Sequence, residues 1–114
     1  MNDILSVASP AATPAPSWSD PSIDARYHWI DVGPFFDRFG AKAIAITGST
    51  DPQVQGLVTL LLPRKYVDLK RADLPGMLDL LVSKGVINAT DKAAVLNPVT
   101  VDYERHVKGM VQPV

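Results

Sequence analysis

The stretch LVSKGVINATDKAAVL, residues 81–96, places two short apolar segments on either side of one glycine. Glycine is the residue that most easily takes the left-handed conformation that ends a helix, so Gly85 predicts a helix end. Asn88 is a good N-cap for a second helix, because Asp91 lies three residues later among the free N–H groups of its first turn. The stretch therefore predicts two helices, 74–83 and 89–96, that are joined by a tight corner.

Two interpretations of this corner are open. A helix-turn-helix that reads DNA needs basic and amide side chains on its second helix, to reach phosphates and base edges. The second helix here offers Thr90, Asp91 and Lys92, followed by apolar residues only. We interpret the corner as a structural element of a small helical core, with DNA reading as the alternative.

The composition excludes several classes of protein. The chain has 114 residues, enough for one small domain, and its net charge of −1 gives no long-range attraction to nucleic acid or anionic membrane. The absence of cysteine excludes disulfides, thiolate metal sites and cysteine nucleophiles. No segment approaches the roughly 18 apolar residues of a membrane helix, and the N-terminal segment lacks the basic residues of a signal peptide. We therefore expect a soluble protein that does not insert into a membrane.

Composition also divides the chain into three parts. Residues 1–25 contain four of the ten prolines, which remove backbone donors and exclude a helix or a central strand. We predict that these residues form an extended arm, and that Ile4, Leu5 and Trp18 on this arm contact a neighbouring subunit; a disordered tail is the alternative. Residues 26–97 form the helical domain, and residues 98–114 form a second extended arm.

The helical domain contains further helix signals before the corner. Asp31 is a candidate cap for a helix that carries three phenylalanines and ends at Gly40, and residues 41–46 predict another short helix. Asp51 followed by proline is a strong helix start, and the apolar residues after it have the spacing of a buried stripe. The residues of this stripe are Val54, Leu57, Val58, Leu61 and Leu62. We expect the core to contain Leu57, Leu61, Leu78 and Leu81 together with Phe35, Phe36 and Phe39.

Two segments alternate polar and apolar residues as strands do. Residues 65–69, KYVDL, predict one short strand. Val99, Val101 and Tyr103 alternate with polar residues and predict a second strand, which either pairs with residues 66–68 or is donated to another chain. These three residues complete the predicted partner interface. The predicted fold class is all-α, a small bundle of four to five short helices with extended N- and C-terminal arms and room for one minor two-stranded pairing.

No motif in the sequence predicts catalysis. His28 and Asp31 have the spacing of two metal ligands, but no third ligand follows at a suitable spacing. Neither a G-x-S-x-G elbow nor a glycine-rich phosphate loop is present. The basic run 63–71 is interrupted by Asp68, so we interpret it as a solvated loop, with a weak phosphate-contact patch as the alternative. We predict no enzyme activity, no catalytic residue, no metal, no cofactor and no small-molecule substrate.

The order of these pieces resembles a family of small uncharacterised bacteriophage proteins that are encoded among tail and tail-fibre genes. The likeness covers residues 29–97 and is carried by FFDRFGAKAIAI (35–46), by the Asp-Pro helix start, by KYVDLKRAD (65–73) and by LLVSKGVINATDKAAVL (80–96). In this family a motif of the form F-x-x-R-F opens the domain and a helix–Gly–helix corner closes it. The sequence departs from the pattern at Gly33-Pro34 and Gly40, where the family has better helix formers and a Thr-type cap.

The resemblance implies a minor structural protein of the virion, in the tail tip, the baseplate or the fibre-attachment region. Such a protein is made in the cytoplasm of the host bacterium and binds other virion structural proteins in several symmetric copies. No catalytic residues come with the resemblance. The alternatives are a tail-assembly chaperone that is not retained in the virion, and a small DNA-binding regulator that uses the corner and the basic run.

Overall fold

A computed structural model describes residues 14–114 of the chain. This part contains five α-helices and one two-stranded sheet, preceded by a 3-10 turn at Ala25–His28. In chain order the elements are β1 (Trp29–Asp31), α1 (Val32–Asp37), α2 (Lys42–Thr47), α3 (Pro52–Leu61), β2 (Tyr66–Asp68), α4 (Leu74–Ser83) and α5 (Ala89–Val95). The fold is therefore small and mostly helical with one minor strand pairing, as the sequence predicts.

The starts of α3 and α5 follow the local signals in the sequence, but α1 does not: Asp31 makes no side-chain capping bond, and the helix ends at Asp37, before Phe39 and Gly40. The Asp51 carboxylate accepts hydrogen bonds from the Gln53 and Val54 backbone N–H groups at the start of α3. At the start of α5, the Asn88 side chain accepts from the Asp91 N–H at 2.8 Å, and the Asp91 carboxylate accepts from the Asn88 N–H at 2.9 Å. This reciprocal pair is a capping box. Gly85 has φ of 72°, so the predicted left-handed corner is confirmed.

One hydrophobic core joins the helices and both strands. The four leucines that we expected in the core are buried, and so are the three phenylalanines of the FFDRF segment. Leu62 is different, because α3 ends at Leu61 and the side chain of the following residue is 52% exposed. The prediction that Leu62 belongs to the buried stripe is wrong, since Pro63 does not let the helix continue.

The strand at β2 is confirmed, but its partner is not the predicted one. β2 pairs antiparallel with β1, with Ile30 opposite Val67. The predicted strand at 99–103 is wrong, because these residues lead into a turn and the chain reaches β1 only afterwards. There the Asp31 N–H donates to the Glu104 carbonyl at 2.8 Å, and the His106 N–H donates to the Trp29 carbonyl at 2.8 Å. β1 therefore lies between β2 and residues 104–106.

Residues from the N-terminal part of the described chain pair with its last residue. The Trp18 N–H donates to the Val114 carbonyl at 3.1 Å, and the Val114 N–H donates to the Pro16 carbonyl at 2.9 Å. The Trp18 ring lies 5.9 Å from the Tyr27 and His28 rings, measured between centroids. Trp18 thus contacts its own chain. Ile4 and Leu5 lie outside the described residues.

His28 gives the fold a predicted dependence on pH. Its imidazole is buried beside Trp18, and burial is the main cause that lowers its pKa, with the charge of Lys70 lowering the pKa further. A lowered pKa in the folded state means that the unfolded state binds the proton more readily. The contribution of neutral His28 to stability is therefore present above the unfolded pKa of about 6.5 and is lost as the pH falls through the lower folded pKa.

The measurement is the free energy of unfolding of the wild type and of His28→Gln across this pH range. The Gln amide can still donate to the Pro98 carbonyl, which lies 3.0 Å from His28 Nδ1, but it does not titrate. We expect the wild type to lose stability relative to this variant as the pH falls. Parallel curves for the two proteins would contradict the expectation.

Candidate protein-interaction site

Three of the predicted interface residues lie together on one loop. We call residues 99–104, between α5 and the segment that bonds to β1, the C-terminal loop. Val99, Val101 and Tyr103 are 42%, 52% and 72% exposed, whereas Thr100 between them is fully buried. These residues therefore form a loop rather than a strand, and among residues 99–103 only the Thr100 side chain is buried, because Asp102 is exposed as well. Trp18 is not a member of this loop.

Arg38, at the end of α1, holds both ends of the C-terminal loop. Its Nε and Nη2 atoms lie 3.0 and 2.9 Å from the two carboxylate oxygens of Glu104, which makes a bidentate ion pair. Its Nη2 also donates to the Val99 carbonyl at 3.1 Å. The side chains of this pair are only 11% and 13% exposed. Bidentate pairs of this type fix geometry as well as adding energy.

The same guanidinium also caps α5. Arg38 Nη1 donates to the carbonyls of Val95 and Asn97 at 3.0 and 2.7 Å. The last carbonyls of a helix lack partners within the helix, and the negative end of the helix dipole favours a cation there. Arg38 therefore connects α1, the end of α5 and the C-terminal loop. The sequence did not predict this role, although Arg38 is the arginine of the F-x-x-R-F motif; the signal is an arginine next to buried phenylalanines.

The backbone of the C-terminal loop is also bonded from within. The Glu104 carboxylate accepts from the Val101 N–H at 3.1 Å, and the Glu104 N–H donates to the Val101 carbonyl at 3.1 Å. The Thr100 hydroxyl donates to the Tyr27 carbonyl. The exposed apolar side chains therefore stand on a fixed backbone. A surface of this kind loses little conformational entropy when a partner covers it.

Beneath the loop lies a buried arginine whose partners are neutral. Arg105 Nη1 donates to the Thr100 carbonyl at 2.9 Å, and Nη2 donates to Gln112 Oε1 at 2.9 Å. The guanidinium lies 5.4 Å from the centre of the Tyr27 ring, where a cation–π interaction is favourable. Its Nε has no partner within residues 14–114. Arg105 thus joins the C-terminal loop to the last described residues.

The structure does not bring the candidate metal ligands together. His28 Nδ1 lies 3.0 Å from the Pro98 carbonyl, whereas the Asp31 carboxylate lies 2.8 Å from His106 Nδ1. In residues 14–114, no three His, Asp or Glu side chains gather in a way that would hold a metal ion.

The charged side chains of the corner are paired within the fold. Lys92 Nζ lies 2.6 Å from the Asp79 carboxylate, and Lys42 Nζ lies 2.7 Å from the Asp91 carboxylate. The hydrogen bond from Lys42, and then the one from the Asn88 N–H, lower the pKa of Asp91. This pairing fits a structural corner, because the lysines that would reach phosphates already have carboxylate partners on the surface of the same chain.

Three kinds of comparison with known proteins found no relative of this chain. No protein-family model, no curated protein and no solved structure matches the chain. Over the residues described, no helix has the length and apolar character needed to cross a membrane.

Proposed function

We propose that this protein is a minor structural component of a bacteriophage particle, which acts by binding neighbouring subunits in fixed stoichiometry. The observation that carries the proposal is the C-terminal loop, where Val99, Val101 and Tyr103 are exposed on a backbone that Arg38 holds from inside. The resemblance of residues 29–97 to phage tail-region proteins supports a position in the tail tip, the baseplate or the fibre-attachment region.

The energetics of the loop suit this role. Complete burial of a large apolar side chain contributes about 1.5–3 kcal/mol, so two or three such residues form a modest interface. Repetition of that interface in several symmetric copies multiplies its effect, because binding of one copy raises the effective concentration of the next. The partners are other virion structural proteins, and the arm that carries Ile4 and Leu5 adds to the contact area, whereas Trp18 packs on its own chain. The protein is made in the cytoplasm of the bacterial host before it is assembled.

The test uses a phage whose own copy of the gene is replaced by a variant. We expect the double variant Val101→Ser/Tyr103→Ser to be incorporated at least about tenfold less, which corresponds to about 1.4 kcal/mol of lost interface energy. The melting temperature of the isolated protein should be nearly unchanged, because both side chains are exposed. Incorporation is measured by mass spectrometry of purified, disassembled particles.

The matched control is Ile44→Ser, because Ile44 is an exposed apolar residue on α2, outside the C-terminal loop. It should be incorporated like the wild type. Full incorporation of the double variant would show that the loop is not the interface. Absence of the wild-type protein from purified particles, with abundant protein in infected cells, would instead identify an assembly chaperone.

A further inference from the structure

Within residues 14–114, the strand β2 has a free edge on the side away from β1. Along two antiparallel strands, opposite residues alternate between hydrogen-bonded and non-hydrogen-bonded pairs. The Leu69 N–H donates to the His28 carbonyl at 2.9 Å, so the Ile30–Val67 pair is also hydrogen-bonded. The backbone groups of Tyr66 and Asp68 therefore point away from β1.

Three of these edge groups have no partner within residues 14–114. They are the N–H and the carbonyl of Tyr66 and the N–H of Asp68. The Asp68 carbonyl is occupied, because it accepts from the Arg71 N–H at 3.0 Å. Unpaired groups on an edge strand form a template for a further strand.

There is also open space beside this edge, on the face of the sheet that carries the Tyr66 side chain. The Tyr66 ring leans back over β1, where its centroid lies 4.6 Å from the Trp29 ring and 5.1 Å from the His106 ring. A surface cavity of about 420 Å³ lies beside it, lined by Arg64, Lys65, Tyr66, Asp68 and Arg71. An added strand would therefore find space for its side chains without moving the aromatic stack.

The charge around this edge restricts what can bind there. Three of the five residues that line the cavity are cations and Asp68 is an anion; Arg71 is already paired with Asp73, so Arg64 and Lys65 leave this edge with a net positive charge. Cations and prolines on an edge are known devices against pairing with another copy of the same edge. The repulsion that prevents this self-pairing becomes attraction when the incoming strand is acidic.

We propose that the free edge of β2 binds an extended acidic segment of another protein by strand addition. The backbone of that segment bonds to the free groups of Tyr66 and Asp68. A carboxylate on the segment enters the cavity beside Arg64 and Lys65. This surface goes beyond the proposed function, because the C-terminal loop leads to the opposite edge of β1 and involves none of these residues.

The experiment uses the whole chain labelled with ¹⁵N and short synthetic peptides as probes. The first probe alternates glutamate and valine over six residues. The second alternates lysine and valine, and the third is the glutamate peptide with alternate backbone nitrogens methylated. We expect the glutamate peptide, at millimolar concentration, to shift the amide signals of Tyr66 and Asp68 and to slow their hydrogen exchange. The other two peptides should bind at least about tenfold more weakly.

A charge reversal completes the test. Lys65→Glu should weaken binding of the glutamate peptide and strengthen binding of the lysine peptide, whereas Lys92→Glu on α5, with the same change in net charge, should leave the preference unchanged. The proposal is overturned if the glutamate peptide produces no shift at the two amides, or if the methylated or lysine peptide binds equally well. Neither result depends on a phage particle, so failure here is distinct from failure of the proposed function.

Discussion

Replacement of Arg38 by alanine is expected to lower the free energy of unfolding by about 3–5 kcal/mol, because it leaves a largely buried carboxylate without its partner. The carboxylate is that of Glu104, which is 13% exposed and is held by two bonds from the guanidinium. The same change removes the donor from the carbonyls of Val95, Asn97 and Val99. Urea denaturation of the isolated protein measures the loss.

Two further variants test whether the loss of stability comes from the ion pair between Arg38 and Glu104. Arg38→Lys keeps the charge but not the planar fork that bonds both carboxylate oxygens, so we expect an intermediate loss. Arg26→Ala breaks an exposed pair with Asp24, and its stability should be nearly that of the wild type. Hydrogen exchange at the Val101 amide should become faster in Arg38→Ala. If Arg38→Ala costs no more than Arg26→Ala, then Arg38 does not hold the C-terminal loop.

The parts of the fold that the sequence predicts correctly depend on contacts between near neighbours. The corner depends on Gly85 and on the reciprocal hydrogen bonds between Asn88 and Asp91, and these residues lie within one stretch of seven. The start of α3 at Asp51 is equally local. Such signals need only the chemistry of one turn, so a single sequence contains all the information that they use.

The parts that the sequence did not predict depend on distant residues. Arg38 and Glu104 are 66 residues apart in the chain, and no local pattern around either residue indicates the pair. The pairing of β2 with β1 was also not predicted. β1 has only three residues and follows a 3-10 turn, so its sequence shows no clear strand pattern. The alternation at 99–103 predicted a strand, but these residues form a loop in which only the Thr100 side chain is buried and Asp102 is exposed. The contact that fixes this loop, from Thr100 to the Tyr27 carbonyl, spans 73 residues and leaves no local pattern.

The three consecutive leucines at the end of α3 give the second large expected effect. Leu61 is 4% exposed, whereas Leu60 and Leu62 on either side of it are 44% and 52% exposed. Leu61→Ala is expected to cost about 2–5 kcal/mol, because it removes buried methyl groups and leaves a cavity that the core closes only in part. In a domain of this size that is a large share of the total stability.

The neighbouring leucines are controls with identical chemistry. Leu60→Ala and Leu62→Ala delete the same atoms from positions that water already reaches, so each should cost well below half of the loss at Leu61. Thermal melts of the three variants, recorded at one protein concentration, compare them directly. If the three melting temperatures fall equally, Leu61 is not the leucine of α3 that packs into the core. A large drop for Leu61→Ala alone would show that helix periodicity, and not leucine content, decides which of the three side chains stabilises the domain that carries the C-terminal loop.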